Sequence, residues 1–256
     1  MPEQAKKYAV FNNKGGVGKS TIAVHIAYGL ALKGEKVLLI DMDEQNDASL
    51  FLGFTSEDFA KSFYDLLTGQ SICLSECIIS ARDNLDLLSA THIDRINEKL
   101  YKENDIRCFF SHKLQAIEPL GYNYVIIDCG PQRSKINDAV LHFVDGIIVP
   151  VQAEAASVKA IGNIYEYLSD LGLDDSMIAM VVPNMFDQRT TDGKENLEFI
   201  TEFFEDTNIV TPPILRRIKI TECGKLEQTV YEYDEDAAMH FEHLVERLVS
   251  INGRTK

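Results

Sequence analysis

The chain has 256 residues, of which 45% are hydrophobic and 25% charged, with a formal net charge of −15 at pH 7. That is enough apolar material for one large core and too much for a generally disordered chain. The acid excess works against coating a nucleic acid by bulk attraction, so any such contact has to come from a local basic patch.

The opening Met1-Pro2-Glu3-Gln4 lacks the charged and apolar regions of a secretory leader, and no apolar run reaches membrane-spanning length. A cytoplasmic protein is therefore expected. Tyr8-Ala9-Val10-Phe11 reads as a short apolar strand, and Ile22, Ile26 and Leu30 recur at helical spacing with alanines around them. Between them, Asn13 to Ser20 fits the phosphate-loop pattern G-x-x-x-x-G-K-[ST], with Asn13 at the first glycine position and Lys14 at the loop mouth. Gly15, Gly16 and Gly18 let the chain turn with its N–H groups facing phosphate oxygens, Val17 lies between them, and the helix that follows adds its positive end. Lys19 supplies a point charge for the outer phosphates, and the Ser20 hydroxyl, followed by Thr21, suits magnesium.

Lys36 to Asp41 is an apolar run ending in acid, as expected of a buried parallel strand. Phe63 to Leu67 followed by Gly69 reads as a short helix with a stop, and Leu85 to Ala90 as a strand. Residues 94–118 carry a helical pattern. Tyr124 to Asp128 and Gly146 to Val151 are further strands, and Ile161, Ile164, Tyr165 and Leu168 mark a helix. Met177 to Met185 reads as a strand, Asn196 to Phe204 as a helix, Ile209-Val210 as a short extended piece, and Glu235 to Ser250 as the last helix. This alternation, without repeat or linker, predicts a doubly wound, mostly parallel α/β sheet flanked by helices, in a single domain over residues 1–256. The five cysteines offer only one close pair, Cys73 and Cys77, which needs His92 or His112 to complete a metal site, so reduced thiols are expected.

In such a sheet the strand ends carrying Asp41, Asp43 and Asp128 converge on the crevice beside the phosphate loop. Asp128 can hold magnesium through its waters, and Asp43 can orient or deprotonate an attacking water.

Lys14 to Thr21 resembles the deviant phosphate loop K-G-G-x-G-K-[ST] of the ParA/MinD ATPases. Leu38 to Gln45 is similar to that family's D-x-D-P-Q segment, and Tyr124 to Pro131 to its D-x-P-P segment. Val149 to Glu154, Thr211 to Ile214 and Arg217 to Glu222 resemble later ParA landmarks in family order. The resemblance implies a magnesium-dependent ATPase with ATP and Mg2+ as ligands. Lys14 would be the signature lysine that reaches across an ATP-bound homodimer, Asp43 would position the hydrolytic water, and Asp41 would support the magnesium shell with Ser20 and Asp128. Asn184 and Pro213 resemble adenine-side residues.

For a ParA-type partition ATPase, the dimer would bind DNA without sequence preference through Arg216, Arg217 and Lys219 and associate with the nucleoid. A ParB-like centromere-binding partner would stimulate hydrolysis and release. Because the phosphate loop comes almost at once, no N-terminal helix-turn-helix extension, and so no operator-specific repression, is expected. Glu44 and Gly130 depart from the usual prolines, and Gly130 predicts a pliable loop. A MinD-like membrane-positioning ATPase is the alternative, but the stripe Phe241, Leu244, Val245, Leu248 and Ile251 is flanked by acids that an anionic lipid repels, so core packing and no membrane contact are expected. An iron-protein-type reductase would need Cys108 and Cys129 to bridge a cluster.

Overall fold

The apolar runs that end in acid become the buried strands of one sheet. The computed structural model describes residues 4–69, 72–103, 105–154 and 157–253; the opening Met1-Pro2-Glu3 and residue 104 lie outside the described residues. The strands are β1 (Lys6–Val10), β2 (Val37–Met42), β3 (Ile78–Arg82), β4 (Leu85–Ser89), β5 (Tyr124–Cys129), β6 (Gly146–Gln152) and β7 (Ile178–Asn184). They lie in the order β3-β4-β2-β5-β1-β6-β7, all parallel to their neighbours except β3, which runs antiparallel to β4 at the edge. The expected doubly wound α/β sheet is therefore present. Its helices are α1 (Lys19–Leu32), α2 (Asp47–Phe51), α3 (Phe63–Thr68), α4 (Ile93–Leu100), α5 (Phe109–Lys113), α6 (Lys135–Phe143), α7 (Ser157–Asp170), α8 (Thr191–Phe203), α9 (Ile218–Lys225), α10 (Val230–Tyr233) and α11 (Glu235–Ile251).

Successive strand residues face opposite sides. Leu38, Ile40, Val125 and Ile127 pack with Ile136, Val140, Ile161 and Ile164 on one face. Leu39, Ile126 and Val10 pack with Ile22, Ile26, Phe241 and Leu244 on the other. Four of the five stripe residues of α11 pack in this second layer, with Phe241 and Leu248 0% exposed and Leu244 and Val245 1%, whereas Ile251 at the helix end is 49% exposed, contrary to expectation. Burial of each such side chain stabilises by about 1.5–3 kcal/mol, and none of these four is left to lie on lipid. No described helix is long and apolar enough to cross a membrane.

The helical pattern over 94–118 breaks into α4, a 3-10 turn at Ile106–Cys108, α5 and a second 3-10 stretch at Gln115–Leu120. The Asp105 carboxylate accepts from the Arg107 N–H at 3.0 Å, giving the backbone a local alternative to a continuing helix. Pro119 sits in the second stretch, which ends on Gly121 in the left-handed region. α8 starts at Thr191, ahead of the expected Asn196, because the Thr190 hydroxyl caps it by accepting from Gly193 N–H.

Behind the phosphate loop, α1 is pinned by a buried histidine. His25 Nδ1 donates to the Thr21 carbonyl at 2.6 Å, and Nε2 accepts from the Val230 N–H at 2.9 Å, which fixes the neutral tautomer. The ring stacks on Phe241 at 4.2 Å. Burial pushes its pKa down from 6.5 to about 4. The unfolded chain thus takes up this proton first, so the contribution of His25 is complete above pH 6.5 and is lost as pH falls toward 4, by about 3 kcal/mol in all. Chemical denaturation across that range should show a steeper loss of stability below pH 6.5 in the wild type than in His25→Gln.

Candidate functional site

The sheet order explains the site. β1 lies between β5 and β6, so the loop leaving Val10 emerges beside Asp128, its partner in register on β5. Asp41 pairs with Asp128 from the other side. Three chain segments therefore reach one crevice at the carboxyl end of the strands.

The loop has the shape its glycines predict. Gly16 and Gly18 have φ of 73° and 89°, in the left-handed region. A Cβ on Gly18 would stand 2.3 Å from Asn184 Nδ2, so no side chain fits there. α1 begins directly after Gly18, and its first N–H groups open onto the crevice. Lys19 is 6% exposed, and its Nζ donates to the Lys14 carbonyl at 3.4 Å across the loop. Val17 is buried beneath the loop.

A cavity of about 960 Å³ runs from this loop along the sheet edge. Gly15, Gly16, Gly18, Lys19, Ser20 and Thr21 form one wall, Asp43 and Gln45 a second, Pro131 and Gln132 a third. Asn184 and Met185, which lie against the loop at Gly18, and Arg216 and Arg217 complete the lining. The volume suits a nucleotide-sized ligand.

Asp128 carries the strongest electrostatic signal. It is fully buried, and neither carboxylate oxygen has a hydrogen bond of ordinary geometry. Burial, with Asp41 alongside, raises its pKa well above the carboxylate range, while Ser20 and Lys19 nearby favour the ionised form less strongly. Buried acceptors without partners are costly, and they mark a place built for something more. A hydrated magnesium ion fits: the Ser20 hydroxyl, the Asp128 oxygens through water, and phosphate oxygens are the hard donors it prefers.

Asp43 lines the cavity at 9% exposure. Its Oδ1 accepts from Gln45 N–H at 3.1 Å, which holds the carboxylate toward the crevice. Asp41, like Asp128, lies behind the cavity wall and is not among its lining residues. Its Oδ2 accepts from the Ser49 N–H and hydroxyl at 2.8 and 2.7 Å, and its Oδ1 from Asp43 N–H at 3.3 Å. Fully buried and committed to α2 and the loop before it, it anchors this segment and does not line the cavity. Burial raises its pKa to about 6 against those bonds.

Lys14 is held within its own chain. Its Nζ donates to Gln152 Oε1 and to Glu154 Oε2, each at 3.1 Å. Gln152 also donates to the Gly16 carbonyl at 3.1 Å. Asn184 donates to the Val17 carbonyl at 2.8 Å and accepts from Met185 N–H, so its amide braces the loop. Pro213 is not among the residues lining the cavity; residues 211–216 run beside β7, with Ile214 N–H donating to Pro183 at 2.8 Å, and meet the cavity from Leu215 on. The basic residues expected to contact DNA lie just before and within the first turn of α9. Arg217 precedes α9 and donates to His240, Lys219 on α9 pairs with Asp234, and Arg216 and Arg217 stand at the cavity rim.

Cys129 is fully buried with its thiol pKa raised by burial, which removes it as a cluster ligand. Among the described residues no group of three or more His, Cys, Asp or Glu is assembled for a metal, so Cys73 and Cys77 lack companions. Sequence reasoning gave no role to Gln152, Glu154 or Asn137. Asn137 Nδ2 donates to the carbonyls of Gly130 and Gln132 at 2.9 and 2.6 Å, so the loop expected to be pliable is fastened.

The family model for the AAA domain matches residues 5–177. The sporulation initiation inhibitor protein Soj of Bacillus subtilis is 28% identical over 233 residues, covering 90% of this chain and 91% of Soj. The chromosome partitioning protein ParA of Caulobacter vibrioides is 27% identical over 231 residues, covering 88% and 86%. Among solved structures, Cyanothece McdA in complex with ATP superposes with a TM-score of 0.83 at 22% identity, covering 99% of this chain and 98% of that one.

Proposed function

The chain belongs to the AAA domain family and, within it, to the ParA/MinD group of P-loop ATPases with Soj and ParA, and from that membership we propose that it is a magnesium-dependent partition ATPase acting as an ATP-closed homodimer. One observation carries the reading: a glycine loop with Lys14 and Lys19 opens beside the fully buried Asp128 carboxylate, whose oxygens have no hydrogen bond of ordinary geometry and face Ser20. The proposed domain spans residues 1–256.

The glycine loop and the N-terminus of α1 hold the triphosphate, with Lys19 on the outer phosphates. Magnesium, when bound, would neutralise charge on the phosphate oxygens, and Ser20 and Asp128 are the residues that would hold it. Asp43 orients the attacking water and takes its proton. Lys14 leaves Gln152 and Glu154 to meet the triphosphate held by the second subunit, as an arginine finger does in trans. Asn184 faces the adenine side. Turnover is slow until DNA and a ParB-like partner accelerate it, and Lys19→Ala should abolish both ATP binding and turnover. ATP affinity unchanged in Lys19→Ala, measured with a fluorescent analogue, would remove the nucleotide from this site.

Arg216, Arg217 and Lys219, doubled in the dimer, form the DNA surface. Against a net charge of −15, such a patch binds locally and with a steep salt dependence. In Lys219→Glu, a low-salt shift assay should show lost DNA retention with nucleotide affinity intact. The log–log salt slope should become shallower by about two for a dimer that gives up one phosphate contact per subunit. Equal retention would take Lys219 out of that surface.

A further inference from the structure

The third wall of the cavity, Pro131 and Gln132, directly follows a departure from the family pattern. Gly130 stands where the family usually has proline. A Cβ there would lie 3.8 Å from the Asp43 Cγ and Oδ1, in ordinary van der Waals contact, so this loop runs directly against the Asp43 carboxylate. Two residues on, the exposed Gln132 lines the same cavity as Asp43 and Lys19, and its carboxamide makes no hydrogen bond among the described residues. Its backbone is not free: Asn137, 1% exposed, donates both amide hydrogens to the carbonyls of Gly130 and Gln132 and so fixes where the Gln132 side chain starts.

A carboxamide both accepts and donates, so it can take a hydrogen bond from a water while giving one to a phosphate oxygen. Asp43, an acceptor only, cannot do both. From this pairing we propose that Gln132 is a catalytic residue that orients the hydrolytic water together with Asp43, and that Asn137 is the positioning residue that aims it. The proposal rests on the ATPase reading above. In the step, the water oxygen bonds to the γ-phosphorus as the bridging P–O bond breaks. The electron pair leaves on ADP, and the water's proton passes to Asp43 and on to solvent.

The test uses the full chain with saturating ATP and magnesium, measuring single-turnover hydrolysis beside nucleotide affinity. Gln132→Ala, a change at an exposed position, should lower the hydrolysis rate about a hundredfold with affinity unchanged. Asn137→Ala should lower it too, and the double variant should be no slower than the slower single one, because both remove the same water contact. Thermal melts of each variant separate loss of folding from loss of rate. Wild-type hydrolysis with an unimpaired Gln132→Ala overturns the assignment of Gln132 alone, and additive losses overturn the positioning role of Asn137. A wild-type protein with no ATP turnover overturns the ATPase reading and this inference with it.

Discussion

Asp128→Asn is expected to raise the stability of the ligand-free protein and at the same time abolish its stabilisation by ATP with magnesium. Asp128 is buried without a hydrogen bond of ordinary geometry, beside the equally buried Asp41, and burial raises its pKa well above 3.8 against the weaker opposing effect of Ser20. A carboxyl whose folded pKa exceeds its unfolded one favours folding most below the unfolded value. That contribution is lost as pH rises toward the folded value. At neutral pH the wild type therefore carries a penalty that an uncharged amide of the same shape lacks. Removing it should be worth about 1–3 kcal/mol, the scale of an unsatisfied buried group. The gain over wild type should be absent near pH 4 and grow with pH, opposite in sign to the His25 contribution over the same range. Adding ATP and magnesium should raise the melting temperature of the wild type and leave that of Asp128→Asn unmoved. A variant less stable than wild type when empty would mean that Asp128 serves the fold and not a ligand.

Lys14→Ala is expected to lower partner-stimulated turnover by about a thousandfold or more, the scale on which a trans-acting cation works. The ion pair that now holds Lys14 is no obstacle to this role. Lys14 and Glu154 are 35% and 54% exposed, and exposed pairs contribute no more than about 1 kcal/mol. Charge-assisted bonds to a triphosphate outweigh that. Glu154→Gln should accordingly lower the ATP concentration needed for dimerisation, which analytical ultracentrifugation reads directly. Stimulated turnover unchanged in Lys14→Ala would end the trans-lysine role.

The strands that carry the site were legible because a buried parallel strand writes itself as an unbroken apolar run, as in Val37 to Ile40 and Tyr124 to Ile127. The phosphate loop was legible for the same reason a motif ever is, since glycine and lysine have few substitutes at those positions. β3 was not, because Ile78-Ile79-Ser80-Ala81-Arg82 is a short edge strand with a bulge, held by its antiparallel ladder to β4 and by Arg82, which donates to Glu232 and the Glu227 carbonyl. α2 and α9 were missed because each depends on a distant partner: Ser49 of α2 bonds to Asp41, and Gly224 of α9 packs against Phe51. The same holds inside the site. Asp41 and Asp43 look equivalent in Asp41-Met42-Asp43, and only the bonds from Ser49 separate an anchor from a group that faces the cavity. Asn137 lies far enough from Gly130 in sequence that nothing local marks it as the clamp.

The central claim is that each ATP is completed by a lysine from the other subunit, and a mixing experiment tests it most directly. Lys14→Ala keeps Asp43 but lends no cation, whereas Asp43→Ala lends the cation but cannot direct water. Each should be nearly inactive alone. Mixed in equal amounts with ATP, magnesium, DNA and partner, they should recover up to about a quarter of the wild-type rate, since half of random pairs are mixed and one site in each is complete. A mixture no faster than its components would contradict a site shared between two subunits.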